Sequence, residues 1–311
     1  MNAFIDRRPA FLTTVWDVQP DASQSYVIEW AEEAAHLATT AEADAVWNAL
    51  VAREIVLPTD RLALDVGCGG GGMALALAAA LPVGASVVGI DGDAAVLDAA
   101  RSHLAEAGPV GERVRLVQAS LEDGLADAAG GKAADLVWAS ASVHHLGDQQ
   151  AAVSSLAGLL ALGGRLALAE GGLAPSYLPW DVGVGDPGLE HRLTAAGHDW
   201  FAQMRGALPG SVRMPYGWPE AMRRAGLGDV RTRTVLFERP APLAPPERSH
   251  VAHLLRTHVD RVAGTGLLSA ADLDAWTRLL DPADEAWLGG RAEVQMLSAR
   301  SVHVGVRSRL P

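Results

Sequence analysis

The part of this 311-residue chain best suited to chemistry is a run of five glycines, at positions 67 and 69–72. The run follows the apolar segment 61–66 and precedes "MALALAAAL", which is rich in helix-forming residues. It is therefore predicted to be a strand-to-helix turn, where backbone without Cβ atoms lets a ligand approach the amide groups at the helix start. Asp91 ends the next predicted strand, where a carboxylate can accept hydrogen bonds from ribose hydroxyls. This spacing predicts a site for a nucleoside-containing ligand.

The glycine run fits two consensus patterns, and by itself it does not choose between them. The pattern G-x-G-x-x-G is satisfied by Gly67, Gly69 and Gly72 and is typical of dinucleotide-binding enzymes. The pattern D-x-G-x-G-x-G begins at Asp65, ends at Gly71, and resembles motif I of class I S-adenosylmethionine-dependent methyltransferases. A tight turn without any ligand would also favour glycine.

The segments that follow resemble, in order and spacing, those of small-molecule class I methyltransferases. They comprise a third strand and turn at 113–123, a fourth strand with a His-His step at 134–148, and a helix, a Gly-Gly stop and a fifth strand at 149–172. Leu162 stands where the family often has a proline. The resemblance spans about 61–237. It implies S-adenosyl-L-methionine as cofactor and methyl transfer to an oxygen, nitrogen or carbon of a small, partly apolar molecule, in specialised metabolism.

The resemblance also implies which residues contact the cofactor. At the end of the third strand the family often has an acidic residue that holds the adenine amino group, whereas this chain has Ser120. The adenine contact is then expected from Ser120, from the Leu121 amide or from Glu122. The full set implied by the resemblance is Asp65, Gly67, Cys68, Gly69, Gly71, Asp91, Gly92, Ser120, Leu121 and Ala139.

Three residues are candidates for catalysis. His144 and His145 follow the fourth strand, at the carboxyl edge where the methyl group is expected, and imidazole suits a general base near neutral pH. In the family a histidine at this place often only lines the cofactor pocket. Glu170 ends the fifth strand at the same crevice. It is expected to deprotonate a substrate, to stabilise a carbocation, or simply to cap the strand by hydrogen bonds.

Four segments are predicted to position these residues. Residues 1–58 form an N-terminal helical lid segment, and 59–240 form a Rossmann-like α/β core that includes a cap at 171–218. Residues 241–292 form a helical insertion, and 293–311 form the final strand. The predicted fold is that of class I methyltransferases: a seven-stranded, mostly parallel sheet with an antiparallel last strand, plus helical cap insertions.

The cap is predicted to bind the substrate, because ligands of open α/β sheets lie beyond the carboxyl ends of the strands. Tyr177, Trp180 and Trp200 are its candidate contacts, since aromatic rings offer large apolar area with few rotatable bonds. Tyr26, with Trp30, is a candidate contact from the lid segment. The alternative is that these side chains are core residues of their own segments. Several arginines are candidates either to hold an anionic substrate or to solvate a helix: Arg192, Arg205, Arg213, Arg223 and Arg224.

Composition and charge argue against several classes of binding partner. A formal net charge of -12 argues against binding nucleic acid, and the single cysteine, Cys68, suits a reducing cytoplasm. The uncharged stretch 73–90 is broken by Pro82 and Gly84, so no membrane association is predicted. His250, His253 and His258 share a helix, but the pair His250 and His253 has no nearby acid or cysteine that completes a site, and no metal site is predicted. The insertion 241–292 is expected to complete the substrate pocket or to form a homodimer contact.

Two other functions use the same glycine turn. One is an NAD-dependent oxidoreductase, although such enzymes do not usually carry the second half of the pattern at 134–172. The other is a catalytically inactive protein that binds a nucleoside cofactor. Titration with S-adenosylhomocysteine and with NAD separates the oxidoreductase from the methyltransferase, and turnover on a substrate panel separates the methyltransferase from the inactive binder.

Overall fold

The computed structural model describes residues 44–121, 124, 125 and 127–308. The predicted lid segment up to residue 43, with Tyr26 and Trp30, lies outside these residues, as does Glu122. The strands are β1 (Leu62–Val66), β2 (Ser86–Asp91), β3 (Val114–Gln118), β4 (Ala134–Ser140), β5 (Leu160–Ser176), β6 (Leu227–Arg239) and β7 (Met296–Arg307). The helices are α1 (Ala45–Ile55), α2 (Gly72–Ala80), α3 (Ala94–Glu106), α4 (Gln149–Gly158), α5 (Leu189–Ala207), α6 (Trp218–Arg224), α7 (Pro245–Val262) and α8 (Ala270–Leu280).

The seven strands form one sheet in the order β3-β2-β1-β4-β5-β7-β6. Neighbouring strands from β3 to β5 pair in parallel, whereas β7 runs antiparallel to both β5 and β6. The predicted fold class is confirmed. The chain order reverses between β1 and β4, and in open α/β sheets the crevice at such a reversal is where ligands bind.

Local sequence explains why helices begin where they do around this crevice. Gly71 has a left-handed backbone and precedes α2, whose alanine-rich sequence favours a helix. Asp93 caps α3 by accepting hydrogen bonds from the amides of Ala95 and Val96. Asp148 caps α4 in the same way through the amide of Ala151. These caps anchor the helix starts at the carboxyl edge of the sheet.

Both faces of the sheet are covered. On one face, α4 and α6 contribute Leu156 and Met222 to a buried cluster with Val137 of β4. On the other face, α1 and α2 contribute Trp47 and Leu77 to a second cluster. Strands covered on both sides are buried and apolar, which is why β1 and β4 could be recognised in the sequence as short apolar runs.

The cap and the insertion share a third buried cluster, although they are separated in sequence by β6. Leu189 and Leu193 of α5 belong to it together with Leu255 of α7 and Trp276 of α8. We call these two segments, 171–218 and 241–292, the cap lobe. The strand β5 continues past Glu170 to Ser176, so it extends from the sheet into this lobe. No helix in the described part of the chain is long and apolar enough to cross a membrane.

Candidate active site

The glycine turn after β1 is held against the loop that follows β4. Gly67 has a φ of +71°, and a Cβ atom at this position would lie 2.7 Å from the Cβ of Ser142. Gly67 is thus required both by its backbone angle and by close packing. Gly71 has a φ of +78°, but its missing side chain faces Ala100 of α3 instead of the crevice. A Cβ atom here would lie 3.4 Å from that of Ala100, an ordinary contact, so it is the left-handed backbone that favours glycine at this position.

Asp91 at the end of β2 ties the glycine turn to the neighbouring strand. Its Oδ2 accepts a hydrogen bond from the Gly69 amide at 3.0 Å, and its Oδ1 accepts one from the Asp93 amide at 3.2 Å. Burial raises the pKa of the Asp91 carboxyl, and the two amides oppose this shift. The carboxylate therefore holds the turn in place at the end of the strand where ribose contact was predicted.

Asp65, the last-but-one residue of β1, is a buried acid with an unsatisfied oxygen. It is 2% exposed, and its Oδ2 has no hydrogen-bond partner among the described residues. Burial, and then the negative charge of Asp91, raise the pKa of Asp65 to about 7. A buried carboxylate of this kind is suited to a ligand that brings a positive charge or hydrogen-bond donors.

These residues face a cavity of about 410 Å³, which we call the glycine-turn cavity. Six predicted site residues line it: Asp65, Gly67, Cys68, Gly69, His144 and Glu170. The remaining predicted cofactor residues are not in its wall: Gly71, Asp91, Gly92, Ser120, Leu121 and Ala139. Asp91 acts on the wall through Gly69, and Ala139 is fully buried in β4 between the lining residues Trp138 and Ser140.

One side of the glycine-turn cavity could not be predicted from the sequence. Asp44, Trp47 and Asn48, at the start of α1, line it together with Arg300 of β7. The Arg300 guanidinium binds the Asp44 carboxylate at 2.5 Å and lies 5.0 Å from the Trp47 ring centroid. It also lies 5.2 Å from the ring centroid of Phe237. No local pattern marks Arg300, because it reaches the site only through sheet pairing at the far end of the chain.

The segment 141–147, which we call the histidine loop, is fixed by Glu170. The Glu170 carboxylate is buried, and its Oε1 accepts from the amides of Ser142 at 3.1 Å and Val143 at 3.0 Å. Its Oε2 lies 2.6 Å from His144 Nδ1. Of the three roles predicted for Glu170, this geometry fits a hydrogen-bonded anchor. Ala141, just before the anchored residues, has a φ of +48°, and strained backbone of this kind is often found at functional sites.

Arg205 of α5 holds the other side of the histidine loop. Its guanidinium donates to the carbonyl oxygens of His144 and Leu146, both at 2.7 Å, and of Gly147 at 3.2 Å. Arg205 is buried, and burial lowers its pKa. Arg205, a candidate anion holder in the sequence, therefore serves here to attach the cap lobe to the loop that carries both histidines.

The two histidines have different surroundings. Burial lowers the pKa of His145 to about 3, and the charges of His144, Arg261 and Arg205 add to this effect. His145 is therefore neutral at physiological pH. His144 is partly exposed, lines the glycine-turn cavity and has a carboxylate on its Nδ1. When Nδ1 carries the proton toward Glu170, Nε2 is left as a proton acceptor.

A second cavity of about 200 Å³ lies inside the cap lobe, and we call it the cap cavity. Tyr177 and Trp200, both predicted substrate contacts, line it. Trp180 is 67% exposed and lies outside its wall. Phe201 lines the cap cavity, and its ring centroid lies 5.5 Å from that of His144. The histidine loop thus stands between the two cavities.

The other arginines proposed from the sequence have local partners. Arg192 binds the Asp272 carboxylate at 2.7 Å, and Arg224 binds Glu220 at 3.0 Å. Arg223 lies 3.4 Å from the same Glu220. Among the described residues there is no group of three or more His, Cys, Asp or Glu side chains placed to hold a metal ion.

The central segment of the chain resembles a known protein family. Residues 64–166 match the family model described as a methyltransferase domain. A trans-aconitate 2-methyltransferase of Methylobacterium radiotolerans is 34% identical over 158 residues, or 46% of this chain and 55% of that protein. A nocamycin O-methyltransferase of Saccharothrix syringae is 32% identical over 186 residues, or 58% of this chain and 64% of that protein. The chain thus spans less than two thirds of the length of these relatives.

A solved structure with a similar fold is that of phosphoethanolamine N-methyltransferase 2 of Haemonchus contortus in complex with S-adenosyl-L-methionine. The TM-score is 0.45 at 16% identity, and the match covers 85% of this chain and 52% of that chain.

Proposed function

We propose that this chain is a class I S-adenosylmethionine-dependent methyltransferase that methylates an oxygen, nitrogen or carbon of a small, partly apolar molecule. The observation that carries the proposal is the position of His144, which lines the glycine-turn cavity and lies beside Phe201 of the cap cavity. One cavity would hold the methyl donor, and the other would hold the acceptor. The names of two relatives, which act on trans-aconitate and nocamycin, support a small-molecule acceptor.

The cofactor of this family is S-adenosyl-L-methionine, and the residues present fit it. The unsatisfied Oδ2 of Asp65 suits a cationic ligand, and the glycine backbone leaves room for close approach. Asp65, Gly67 and Gly69 would hold the cofactor, with Asp91 behind them. When bound, the cofactor would supply an electrophilic methyl group on a positively charged sulfonium.

The residues of this chain would then position the acceptor and receive its proton. His144 takes the proton at Nε2, because its Nδ1 is directed to the Glu170 carboxylate. Glu170 and Arg205 act as positioning residues, since they bind the backbone on both sides of His144. The cap lobe covers the acceptor and excludes water. It thereby keeps the acceptor aligned with the methyl donor.

The test has a binding step and a turnover step. Isothermal titration should give micromolar affinity for S-adenosylhomocysteine and none for NAD. Small-molecule extract from the producing organism, incubated with enzyme and methyl-labelled cofactor, should show a label-shifted species by mass spectrometry. His144→Asn should lower label transfer at least about a hundredfold, the usual contribution of a general base, with S-adenosylhomocysteine affinity nearly unchanged.

His253→Asn is the matched control, because this histidine is exposed on α7 and lies in neither cavity wall. Binding of NAD instead of S-adenosylhomocysteine, or binding without any label transfer, would contradict the proposed function. Full activity of the His144 variant would remove the base from the proposal and leave only positioning. A cytoplasmic location, a role in specialised metabolism, the absence of a nucleic-acid partner and a homodimer stay predictions of the sequence.

A further inference from the structure

The cap cavity has apolar walls and one strongly basic side chain. Its walls include Leu193 and Phe201 of α5 and Leu255 and Val262 of α7. Arg261, in the last turn of α7, lines the same cavity. An apolar pocket with a small number of polar groups is the usual form of a small-molecule site, where the polar groups fix the orientation of the ligand.

Arg261 has no acidic partner among the described residues. It makes no salt bridge within the part of the chain that the structure describes. Its guanidinium carbon lies 5.3 Å from the ring centroid of Trp200, a distance at which the aromatic face attracts the cation and orients it. Most other arginines near the cap lobe are held by a carboxylate or by carbonyl oxygens, as Arg192 and Arg205 are.

Glu190 carries the carboxylate in the cavity wall, and among the described residues it binds backbone amides and forms no ion pair with Arg261. Its Oε1 accepts from the Tyr177 amide at 2.8 Å, and its Oε2 accepts from the Leu178 amide at 3.0 Å. Both oxygens are thus occupied by the backbone that leads from β5 into the cap. The other titratable groups in the wall are Tyr177, His198 and His258. Burial raises the pKa of Tyr177, and burial together with the charge of Arg261 lowers the pKa of His258, so neither side chain is charged near neutral pH. Arg261 is thus the cationic group in the wall that no described carboxylate engages, which leaves its donors available to an anionic ligand.

We propose that the cap cavity binds an organic acid, with the acid group on the Arg261 guanidinium and an apolar body about the size of a single ring against Trp200 and Phe201. The size follows from the volume of about 200 Å³, since cavities of about 150 Å³ accommodate benzene. Arginine binds carboxylates through two parallel N–H donors, which fixes the orientation of the acid. This inference deepens the proposed function and rests on it for the identity of the ligand as methyl acceptor.

The arrangement also orients the acceptor. Arg261 lies over Trp200, while Phe201, one residue further along α5, packs against His144 and His145 with ring centroids 5.5 and 6.1 Å apart. An acid held at Arg261 would extend its apolar body along Phe201 and present its far end to His144. The acid group then fixes the position of the ligand, and the atom to be methylated lies at the opposite end of the ligand.

A purely structural role for Arg261 makes a different prediction. A cation in the last turn of a helix is stabilised by the helix dipole, typically by about 0.3–1 kcal/mol. In that case replacement of Arg261 would lower stability slightly and would leave ligand binding unchanged. A comparison of charged and neutral ligands therefore distinguishes a binding role of Arg261 from a purely structural one.

The experiment measures binding of matched ligands to the full-length protein saturated with S-adenosylhomocysteine. The probes are 4-hydroxybenzoate and 4-hydroxyphenylacetate, each compared with its primary amide. The readouts are isothermal titration and the indole N–H resonance of Trp200, assigned by its absence in Trp200→Phe. The variants are Arg261→Gln, Arg261→Lys and the control Arg231→Gln, which removes an exposed arginine from β6.

The acids should bind and shift the Trp200 resonance, and the amides should bind about tenfold more weakly. Arg261→Gln should abolish the preference for acid over amide, Arg261→Lys should keep part of it, and Arg231→Gln should leave it unchanged. Equal binding of acids and amides, no acid binding at millimolar concentration, or an unchanged preference in Arg261→Gln would each overturn the inference. Failure of S-adenosylhomocysteine to bind counts instead against the proposed function, and the acid–amide comparison is then made on the protein alone.

Discussion

At the scale of single residues, two buried carboxylates at the same sheet edge differ in how they are satisfied. Glu170 has both oxygens engaged, by the amides of Ser142 and Val143 and by His144. Asp65 keeps one oxygen without a partner among the described residues. A fully satisfied carboxylate rigidifies its surroundings, whereas an unsatisfied one is costly until a ligand arrives. The difference assigns Glu170 to loop positioning and Asp65 to the ligand.

The first prediction of this kind concerns Asp65 and pH. Because its folded-state pKa is raised from 3.8 to about 7, the native protein without cofactor keeps a proton that the unfolded chain releases. The stabilisation is complete below about pH 4 and is lost as pH rises through about 7, up to about 4 kcal/mol from this group. Asp65→Asn should remove most of this loss between pH 5 and pH 8.

Urea unfolding of the cofactor-free protein at several pH values measures this effect. Other groups titrate in the same range, so the comparison of wild type with Asp65→Asn isolates the contribution of Asp65. An identical pH slope in both proteins would mean that the Asp65 carboxyl is ionised in the native state at neutral pH.

At the scale of elements, the histidine loop links the sheet to the cap lobe. Glu170, at the end of the buried part of β5, binds the histidine loop from one side. Arg205 of α5 binds the loop from the other side. A shift of α5 therefore moves the loop that carries His144. This coupling explains how a loop with a left-handed alanine, Ala141, is held in one conformation.

For the histidine loop, we predict the effect of replacing Arg205. Arg205→Met leaves the carbonyl oxygens of His144, Leu146 and Gly147 without their donor and should lower stability by about 2 kcal/mol. It should also lower kcat at least about tenfold, because a displaced base costs more in the transition state than in binding. Affinity for S-adenosylhomocysteine should stay within about twofold.

Arg205→Lys supplies the control, since it keeps the charge without the forked donors and should rescue only part of kcat. Steady-state kinetics and titration calorimetry give the two quantities. Equal losses of kcat and of cofactor affinity would show that Arg205 supports the whole fold and has no particular effect on the loop.

At the scale of the whole molecule, the cap lobe has a core of its own. Leu189 belongs to α5, which precedes β6 in sequence, whereas Leu255 of α7 and Trp276 of α8 follow β6. The three side chains nevertheless pack in one cluster. This core is distinct from the two clusters that cover the sheet. The lobe thus depends on its own apolar burial for stability, and the sheet supports the cofactor residues.

The prediction at this scale compares two tryptophans of the cap lobe. Trp276 is fully buried, whereas Trp180 is mostly exposed. Trp276→Ala should lower the free energy of unfolding by about 3–5 kcal/mol and weaken binding in the cap cavity. Trp180→Ala should change it by less than about 0.5 kcal/mol and leave substrate preference intact, because it removes neither core nor cavity wall.

Thermal unfolding of both variants, with and without S-adenosylhomocysteine, provides the measurement. Because the glycine-turn cavity belongs to the sheet, the Trp276 variant should still bind S-adenosylhomocysteine. A large loss of stability in Trp180→Ala, or of substrate preference alone, would show that this exposed indole is covered by another part of the protein.

Features that depend on local pattern could be predicted from the amino-acid sequence. The apolar runs of β1 and β4, the glycine turn and the carboxylate of Asp91 could be placed in advance, because strand burial, turn conformation and helix starts each follow from residues close together in the chain. The seven-stranded, mostly parallel sheet with an antiparallel last strand was expected from the resemblance to a known family, and this fold class is confirmed.

Which distant residues complete the site depends on tertiary contacts and could not be predicted from the sequence. Arg300 reaches the glycine-turn cavity by pairing of β7 with β5, and Arg205 reaches the histidine loop because α5 folds back over it. The unpaired charge of Arg261 and the exposure of Trp180 likewise depend on how α7 and the cap pack. Such contacts join positions far apart in the chain, and their energies depend on burial and geometry that no local pattern encodes.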